Sequence, residues 1–369
     1  MAGTVKLAVA GAGKTRTLGK TMDPNSKNLF ITFTNQNVSN IVNAIKYFNG
    51  GDIPANTLIM TYDRFLYHWL IRPFEKSFFL LYSVNFRSKG VEIIDPPEFD
   101  RYDLGNGYIK KDKIGHYFSD KTNKFYVNRM SELYVSQSQK FKKKIRTRIE
   151  TFVDNIYVDE FQDFSEKDFD LLIDLTRCKS LNIEMVGDYY QSLVTKVNFK
   201  HSKRPYKTYG YDDFKKMLTK KNIVVDENSL ISSKRVPEKT CQFIIQKLGI
   251  RIKSSSKSNG KVIILSDIEK ATDVMHNKNI VKLFSSNAVK GMKEYTPNNK
   301  WGYSKGDTYN EVCVILTDSL KDITGSKILK FKKKVQTQHI LYVALTRSRG
   351  NTYLLTNKLY KQIVSLDNA

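Results

Sequence analysis

The sequence predicts an α/β protein of two parallel-sheet domains, the first interrupted by an inserted subdomain. Three observations carry this. Short apolar runs alternate with helical stretches over the first 65 residues, the alternation resumes after residue 150, and a further series of runs follows residue 226. Strands alternating with helices give a parallel sheet covered on both faces. The expected boundaries are 1–65 and 151–225 for the discontinuous first domain, 66–150 for the insertion and 226–369 for the second domain.

Element by element, Val5 to Ala10 is an apolar run that ends in a Gly-rich turn, and a helix starts at Lys14. LFITFT (Leu29 to Thr34) and TLIMT (Thr57 to Thr61) read as further strands, each followed by a helical stretch. From about Leu66 to Glu150 the chain is aromatic, basic and turn-rich. It contains DPPEFDRYDLGNGY and GHYFSDKTNKFYV, which suggest a hairpin, and closes on a basic helical run, Lys140 to Glu150. The α/β pattern returns with IYVDE and with IEMVGD, Ile183 to Asp188. In the second domain the strands expected are Lys261 to Ser266, Ile280 to Ser285, Glu311 to Thr317 and Asn351 to Thr356. SSSKSNG, Ser254 to Gly260, reads as a flexible loop. No internal repeat is evident.

The 369 residues allow two or three domains, and 40% hydrophobic residues are ordinary for a globular protein. Lys and Arg number 61 against 37 Asp and Glu, a formal charge of +24. Such an excess points to a polyanion, most often nucleic acid, although a solvated Lys-rich surface from a biased genome also fits. Cys178, Cys241 and Cys313 are far apart, with no CxxC or His companion, which argues against a disulfide framework or zinc site and for a reducing compartment. No apolar run is long enough to span a bilayer. The apolar N-terminus runs straight into a Gly-rich loop and reads as a buried strand, not a signal peptide.

Two segments carry phosphate chemistry. AVAGAGKT, Ala8 to Thr15, follows a strand and opens a helix, the context of a phosphate-binding loop. Gly11 and Gly13 let backbone amides approach phosphate oxygens, Lys14 reaches the β and γ phosphates, and the Thr15 hydroxyl suits Mg²⁺. The first glycine of the usual pattern is Ala8 here, so the bare motif is imperfect and a structural turn is the competing reading. NIYVDEFQD places Asp159 and Glu160 at the end of a strand, with Gln162 and Asp163 behind them. Ligands of open α/β sheets bind beyond such carboxyl ends. One carboxylate can hold Mg²⁺ through water while the other orients or deprotonates an attacking water. A DE pair alone is as readily a surface acidic turn.

DEFQD, Asp159 to Asp163, resembles motif II of superfamily 1 helicases of the UvrD/Rep type. The remaining motifs follow in order. AVAGAGKTRTL resembles motif I, ITFTN (Ile31 to Asn35) motif Ia, TYDRF (Thr61 to Phe65) motif Ib and VGDYYQS (Val186 to Ser192) motif III. SSKRVPEKT (Ser232 to Thr240) is a weaker match to motif IV. WGYSKGDTYNEVCVIL (Trp301 to Leu316) resembles motif V, and YVALTRSR (Tyr342 to Arg349) is a close match to motif VI. The set spans nearly the whole chain.

The resemblance implies two RecA-like P-loop NTPase lobes with ATP in the cleft between them. Lys14, Thr15, Asp159 and Glu160 would bind and hydrolyse Mg·ATP, with Glu160 the catalytic base and Thr15 and Asp159 on the metal. Gln191 would sense the γ-phosphate, and Arg235 and Arg347 would act as arginine fingers. Ala10, Gly11, Ala12, Gly13, Arg16, Gln162 and Gly306 complete the nucleotide-binding set. Nucleic acid would cross the tops of both lobes, at Phe33, Thr34, Asn35, Thr61, Tyr62 and Arg64 in the first and Ser304 and Lys305 in the second. Phe33 is as readily a core aromatic. The basic runs KFKKKIRTR (Lys140 to Arg148) and KILKFKKK (Lys327 to Lys334) add phosphate contacts or are plain solvated faces.

The chain also departs from the family. Seven residues precede Ala8, without the usual adenine-reading glutamine segment. Lys234 stands where relatives carry an adenine-stacking tyrosine, so nucleotide base specificity is open and Arg16 is a partial substitute. Lys196 and Val197 replace a Trp-Arg pair that stacks on DNA bases, with Phe199 a weak stand-in. Lys300 and Gly302 replace a Thr and a His of motif V. The insertion between motifs IV and V is short, so a minimal motor of phage or mobile-element type is expected. Such a motor would work in the cytoplasm of a bacterium or infected host, in DNA replication or repair, without a membrane and as a monomer. The expected activity is ATP-driven translocation on single-stranded DNA, 3′ to 5′, with unwinding at single-strand/duplex junctions and replication or recombination proteins as partners. Two alternatives stand beside it: a DNA-stimulated ATPase that does not unwind, and a nucleotide-gated switch that binds DNA or a partner. An RNA substrate is equally compatible with the sequence.

Overall fold

Each apolar run of the first half becomes a strand of one parallel sheet. The computed structural model describes residues 3–93, 109–193, 210–286, 289–325, 327–329, 331 and 335–368. Two compact units divide the chain. The first is Met1–Lys6, Thr15–Gly187 and Val194–Asp226; the second is Leu7–Lys14, Asp188–Leu193 and Glu227–Ala369. The inserted segment thus belongs to the first unit, while the Gly-rich loop up to Lys14 and the DYYQS turn, Asp188 to Ser192, group with the second.

The first unit is built on β1 (Thr4–Leu7), β2 (Asn28–Thr32) and β3 (Thr57–Thr61). All five residues of β2 are buried, as expected of a central strand covered on both faces. The helix Asn35–Phe48 starts directly after it because the Thr34 hydroxyl accepts the Asn37 amide at 3.1 Å and caps the first turn. The insertion adds β4 (Gly90–Glu92), β5 (Phe118–Ser119) and β6 (Lys124–Tyr126), ordered β4-β6-β5. β5 and β6 form the antiparallel hairpin expected there. Phe79 and Phe86 pack against Phe118 and Phe125 of this hairpin, which accounts for part of the aromatic composition of the stretch. The basic run is a helix, Gln139–Phe152, with Ile145 and Ile149 buried. Ser131 and Tyr134 of the insertion bond Asp168 and Asp174 of the helix Glu166–Leu175.

The sheet then takes β7 (Asn155–Val158), β8 (Asn182–Gly187) and β9 (Val224–Asp226), in the order β3-β2-β7-β8-β1-β9. β8 therefore separates the strand that leads into the Gly-rich loop from the strand that ends at the acidic pair. Tyr157 of β7 stacks on Phe30 of β2, with centroids 4.6 Å apart.

The second unit opens with a parallel pair, β10 (Ser232–Ser233) and β11 (Lys253–Ser254). Its main sheet comprises β12 (Val262–Leu265), β13 (Ile280–Phe284), β14 (Asn298–Lys300), β15 (Glu311–Ile315) and β16 (Thr352–Leu355), ordered β12-β16-β15-β13-β14. All its pairings are parallel. Cys313, Phe284 and Leu355 meet Met275 of the helix Ile268–His276 and Ile363 of the helix Asn357–Asp367 in its core. The helix Val335–Leu345 is apolar around most of its circumference, and Leu341 through Leu345 are all buried.

The serine-rich loop departs from expectation. The Ser254, Ser256 and Ser258 hydroxyls accept, in turn, the amides of Ser256, Ser258 and Gly260, so short polar side chains fix its course. The segment 95–108, Lys196, Val197, Phe199 and parts of the run 327–334 lie outside the described residues.

Candidate functional site

In the first unit the ladder runs one residue past β7, where the Asp159 amide donates to the Ile31 carbonyl at 3.0 Å. This holds the Asp159 side chain in place, buried at 1% exposure. One of its carboxylate oxygens accepts the Thr15 hydroxyl at 2.6 Å, and the other accepts the Glu160 amide at 2.9 Å. Glu160 has φ +57°, a left-handed conformation that costs a non-glycine residue about 1 kcal/mol. The Asp159 bond offsets part of that cost and turns Glu160 away from the strand direction. Gln162 then donates its side-chain amide to the Glu160 carboxylate. Gly187, at the end of β8, makes room for this arrangement, since a Cβ there would stand 2.5 Å from Gln162 Oε1.

Mg²⁺ held by nucleotide phosphates needs only one or two protein oxygens, the rest being phosphate and water. The Thr15 hydroxyl beside the Asp159 carboxylate fits that requirement. Among the described residues no group of three or more His, Cys, Asp and Glu could hold a metal. Arg16 lies exposed on the helix Lys14–Thr21 with its guanidinium 4.2 Å above the Tyr47 ring and 5.5 Å from that of Phe48. Its charge is therefore engaged in a cation–π stack that sequence reading did not foresee.

In the second unit the Gly-rich loop is pinned by segments far along the chain. The Val9 amide donates to the Leu230 carbonyl at 3.0 Å, and the Gly11 carbonyl accepts the Lys234 amide at 3.0 Å. Gly11 has φ +74°, and a Cβ on it would meet Ser233 Oγ at 2.7 Å and Arg235 Cβ at 2.9 Å. Only glycine admits both the conformation and the close approach. The Ala10 amide donates to the Tyr342 hydroxyl at 2.9 Å, and that hydroxyl donates to Asp188 Oδ2 at 3.3 Å. Burial, then the Asp188 carboxylate, holds the Tyr342 phenol well above its ordinary pKa, so it stays protonated. Ala12 is buried in the same loop.

Two guanidiniums converge beside this loop. Arg347, 1% exposed, donates Nε to the Val343 carbonyl at 2.9 Å and a terminal nitrogen to the Ser304 and Asp307 carbonyls at 3.2 and 3.3 Å. Arg235 donates to the same Asp307 carbonyl at 3.2 Å and to the Thr308 hydroxyl at 3.1 Å. Burial, and next the Arg347 charge, pushes Arg235 down to about 9. Burial also lowers Arg347, against the attraction of Tyr342 and Asp188. Arg235 Nε and Gln191 Nε2 are buried donors without acceptors among the described residues. Gln191 itself is 4% exposed. Gly306, at φ +96°, shapes the turn that offers the Asp307 carbonyl to both arginines.

The residues expected to touch nucleic acid divide by exposure. Thr34, Asn35 and Arg64 are exposed, and Thr61 and Lys305 are partly so. Phe33 is half-buried, its ring 4.3 Å from that of Phe164. Tyr62 departs from expectation. It is fully buried, its hydroxyl 3.1 Å from Ser131 Oγ and its ring packed on Phe164 and Phe65, so it supports the surface without reaching it. Ser304 departs likewise. It is fully buried, and its hydroxyl donates to the Trp301 carbonyl at 2.6 Å inside its own loop. Beside it, Tyr303 is 73% exposed with Lys300 Nζ 3.5 Å over its ring. Sequence reading passed over this residue, although an aromatic flanked by two lysines was the available signal.

No family model matches the chain, and no curated protein is similar to it. Among solved structures it is similar to one described as "The structure of PRRSV helicase", at 14% identity and a TM-score of 0.44, over 98% of this chain and 54% of that one. It is also similar to "Complex structure of Arterivirus nonstructural protein 10 (helicase) with DNA", at 12% identity and a TM-score of 0.46, over 100% of this chain and 63% of that one. The chain thus spans less than two thirds of the length of either protein. At such identities and TM-scores the likeness assigns no activity to the present chain.

Proposed function

We propose that this protein is an ATP-dependent DNA helicase or translocase of the UvrD/Rep type, with two RecA-like lobes. The observation that carries the reading is the pair of buried donors without acceptors, Arg235 Nε and Gln191 Nε2, in the same unit as the phosphate loop. Buried polar groups are nearly always hydrogen-bonded, so an orphaned Nε on the half-buried Arg235, close to the buried Arg347, and an orphaned Gln191 amide suit an oxygen-rich anion. A nucleoside triphosphate supplies one. The Thr15–Asp159 pair supports the same reading, because it offers Mg²⁺ its two protein oxygens.

In this reading Gly11, Gly13 and Lys14 bind the phosphates, while Thr15 and Asp159 hold Mg²⁺, which neutralises charge on the phosphates. Glu160 takes the proton of the attacking water, and Gln162 fixes its carboxylate for that task. Gln191 and Arg235 meet the terminal phosphate, and Arg347 stabilises the charge that develops as its bond breaks. The exposed Thr34, Asn35 and Arg64 contact single-stranded DNA, and the +24 charge draws it in. ATP as the nucleotide, DNA over RNA, 3′ to 5′ polarity, a monomeric motor in the cytoplasm and work in replication or repair rest on the motif resemblance. Among the described residues no helix is long and apolar enough to cross a membrane.

The test is the ATPase rate with and without single-stranded DNA, for wild type and Glu160→Gln. Strong stimulation, abolished by the substitution, is expected, and a strand-displacement assay then separates unwinding from stimulated hydrolysis alone. A slow rate indifferent to DNA would refute the motor and favour a nucleotide-gated switch.

A further inference from the structure

We infer that Tyr303 is a base-stacking residue for single-stranded DNA, presented on a rigid loop that the Arg347 guanidinium holds. This rests on the nucleic-acid motor reading and adds to it a contact that the motif comparison does not supply.

Tyr303 is 73% exposed, the most exposed large hydrophobic residue among those described, in a loop whose other members are tied down. Trp301 is buried and donates its indole N–H to the Leu283 carbonyl at 2.8 Å. The Ser304 hydroxyl closes the turn on Trp301, and the Asp307 amide returns to the Ser304 carbonyl at 3.0 Å. Asn299, Asp307 and Tyr309 form a further knot, with the Tyr309 hydroxyl donating to Asp307 at 2.6 Å and Asn299 bonding both. The hydrogen bonds that brace the loop at Trp301, Ser304 and Asp307 do not involve the Tyr303 ring, which is turned to solvent. A preorganised aromatic does reduce the ordering cost of binding a flat ligand.

Charge narrows the ligand. Lys300 Nζ lies 3.5 Å over the Tyr303 ring, and Lys305 follows two residues later. A π surface beside an ammonium group suits a base and its phosphate, the combination by which single strands are held without sequence preference. The loop also leads directly to the candidate nucleotide chemistry. Arg347 donates to the Ser304 carbonyl at 3.2 Å, one residue from Tyr303, and both arginines bond the Asp307 carbonyl.

The experiment measures binding of fluorescein-labelled oligo-dT, and of an abasic oligonucleotide of equal length, by anisotropy. Tyr303→Ala should weaken oligo-dT binding roughly 5- to 100-fold and leave abasic binding unchanged. Tyr303→Trp should restore it, and melting temperatures should match wild type. Lys300→Ala should weaken both ligands and lower the salt slope by about one phosphate contact. Unchanged oligo-dT affinity in Tyr303→Ala overturns the inference while leaving the motor reading intact, as does equal weakening on dT and abasic strands. Wild type that binds neither oligonucleotide overturns both.

Discussion

Substituting alanine at Gly187 tests the positioning of Glu160 without touching either carboxylate. An added Cβ would stand 2.5 Å from Gln162 Oε1, 3.0 Å from the Gln162 backbone nitrogen and 3.2 Å from Phe161 Cβ. The Gln162 amide can rotate away, which breaks its bond to Glu160. The backbone nitrogen cannot, so the 160–163 turn must give by a few tenths of an ångström. Such overpacking costs about 1–3 kcal/mol, and near the middle of that range the melting temperature falls by roughly 4–8 °C. The kinetic effect is larger. Misplacing a catalytic group by about 1 Å costs up to ~100-fold, and losing a general base entirely ~10²–10⁴-fold. Gly187→Ala should thus lower kcat roughly 10- to 100-fold, with KM for ATP within about twofold because the phosphate loop is unaltered. The assay is DNA-stimulated phosphate release under substrate saturation, beside a thermal melt. Gln162→Ala should show a similar loss, and the double variant little more than either, because both act through one contact. A Gly187→Ala protein that melts lower yet keeps its kcat would refute the chain of support from Gly187 through Gln162 to Glu160.

Arg347→Lys should lose about 10³-fold in kcat despite keeping its charge, because one ammonium cannot serve Val343, Ser304, Asp307 and the Thr346 hydroxyl as the planar fork does; near-wild-type turnover would mean that only the charge matters. In the insertion, burial raises Glu132, but hydrogen bonds from His116 and Lys111 outweigh it and leave the carboxyl at about 2, below the ordinary 4.5. A depressed native pKa gives stability that is present above pH 4.5 and lost as pH falls toward 2, discounted for solvent screening to about 1 kcal/mol. Urea melts from pH 6 to 3 should therefore show Glu132→Gln less stable than wild type at pH 6 and converging on it at low pH; a constant gap would exclude the linkage.

The strands and the turn before Lys14 were legible because each depends on neighbours in sequence. The run before the acidic pair, the turn before Lys14 and the buried strand Glu311–Ile315 carry their signals within a few residues. Backbone propensity and hydrophobic period act at that range. Exposure does not. Tyr62 and Tyr303 are both tyrosines within motif segments, yet the first is sealed under Phe164 and the second stands in solvent. That contrast depends on which elements pack above each ring. The contacts that make a site were equally out of reach, since the Ala10 amide meets a hydroxyl 332 residues away and Gly11 lies against Arg235. Nor does the sequence show that the helix Asn35–Phe48 brings Tyr47 against the Arg16 guanidinium, 4.2 Å from its ring. Local chain chemistry specifies the elements and the residue types a reaction needs. Long-range burial decides which of those residues meet, because desolvation and hydrogen-bond satisfaction are settled only where distant segments close on one another.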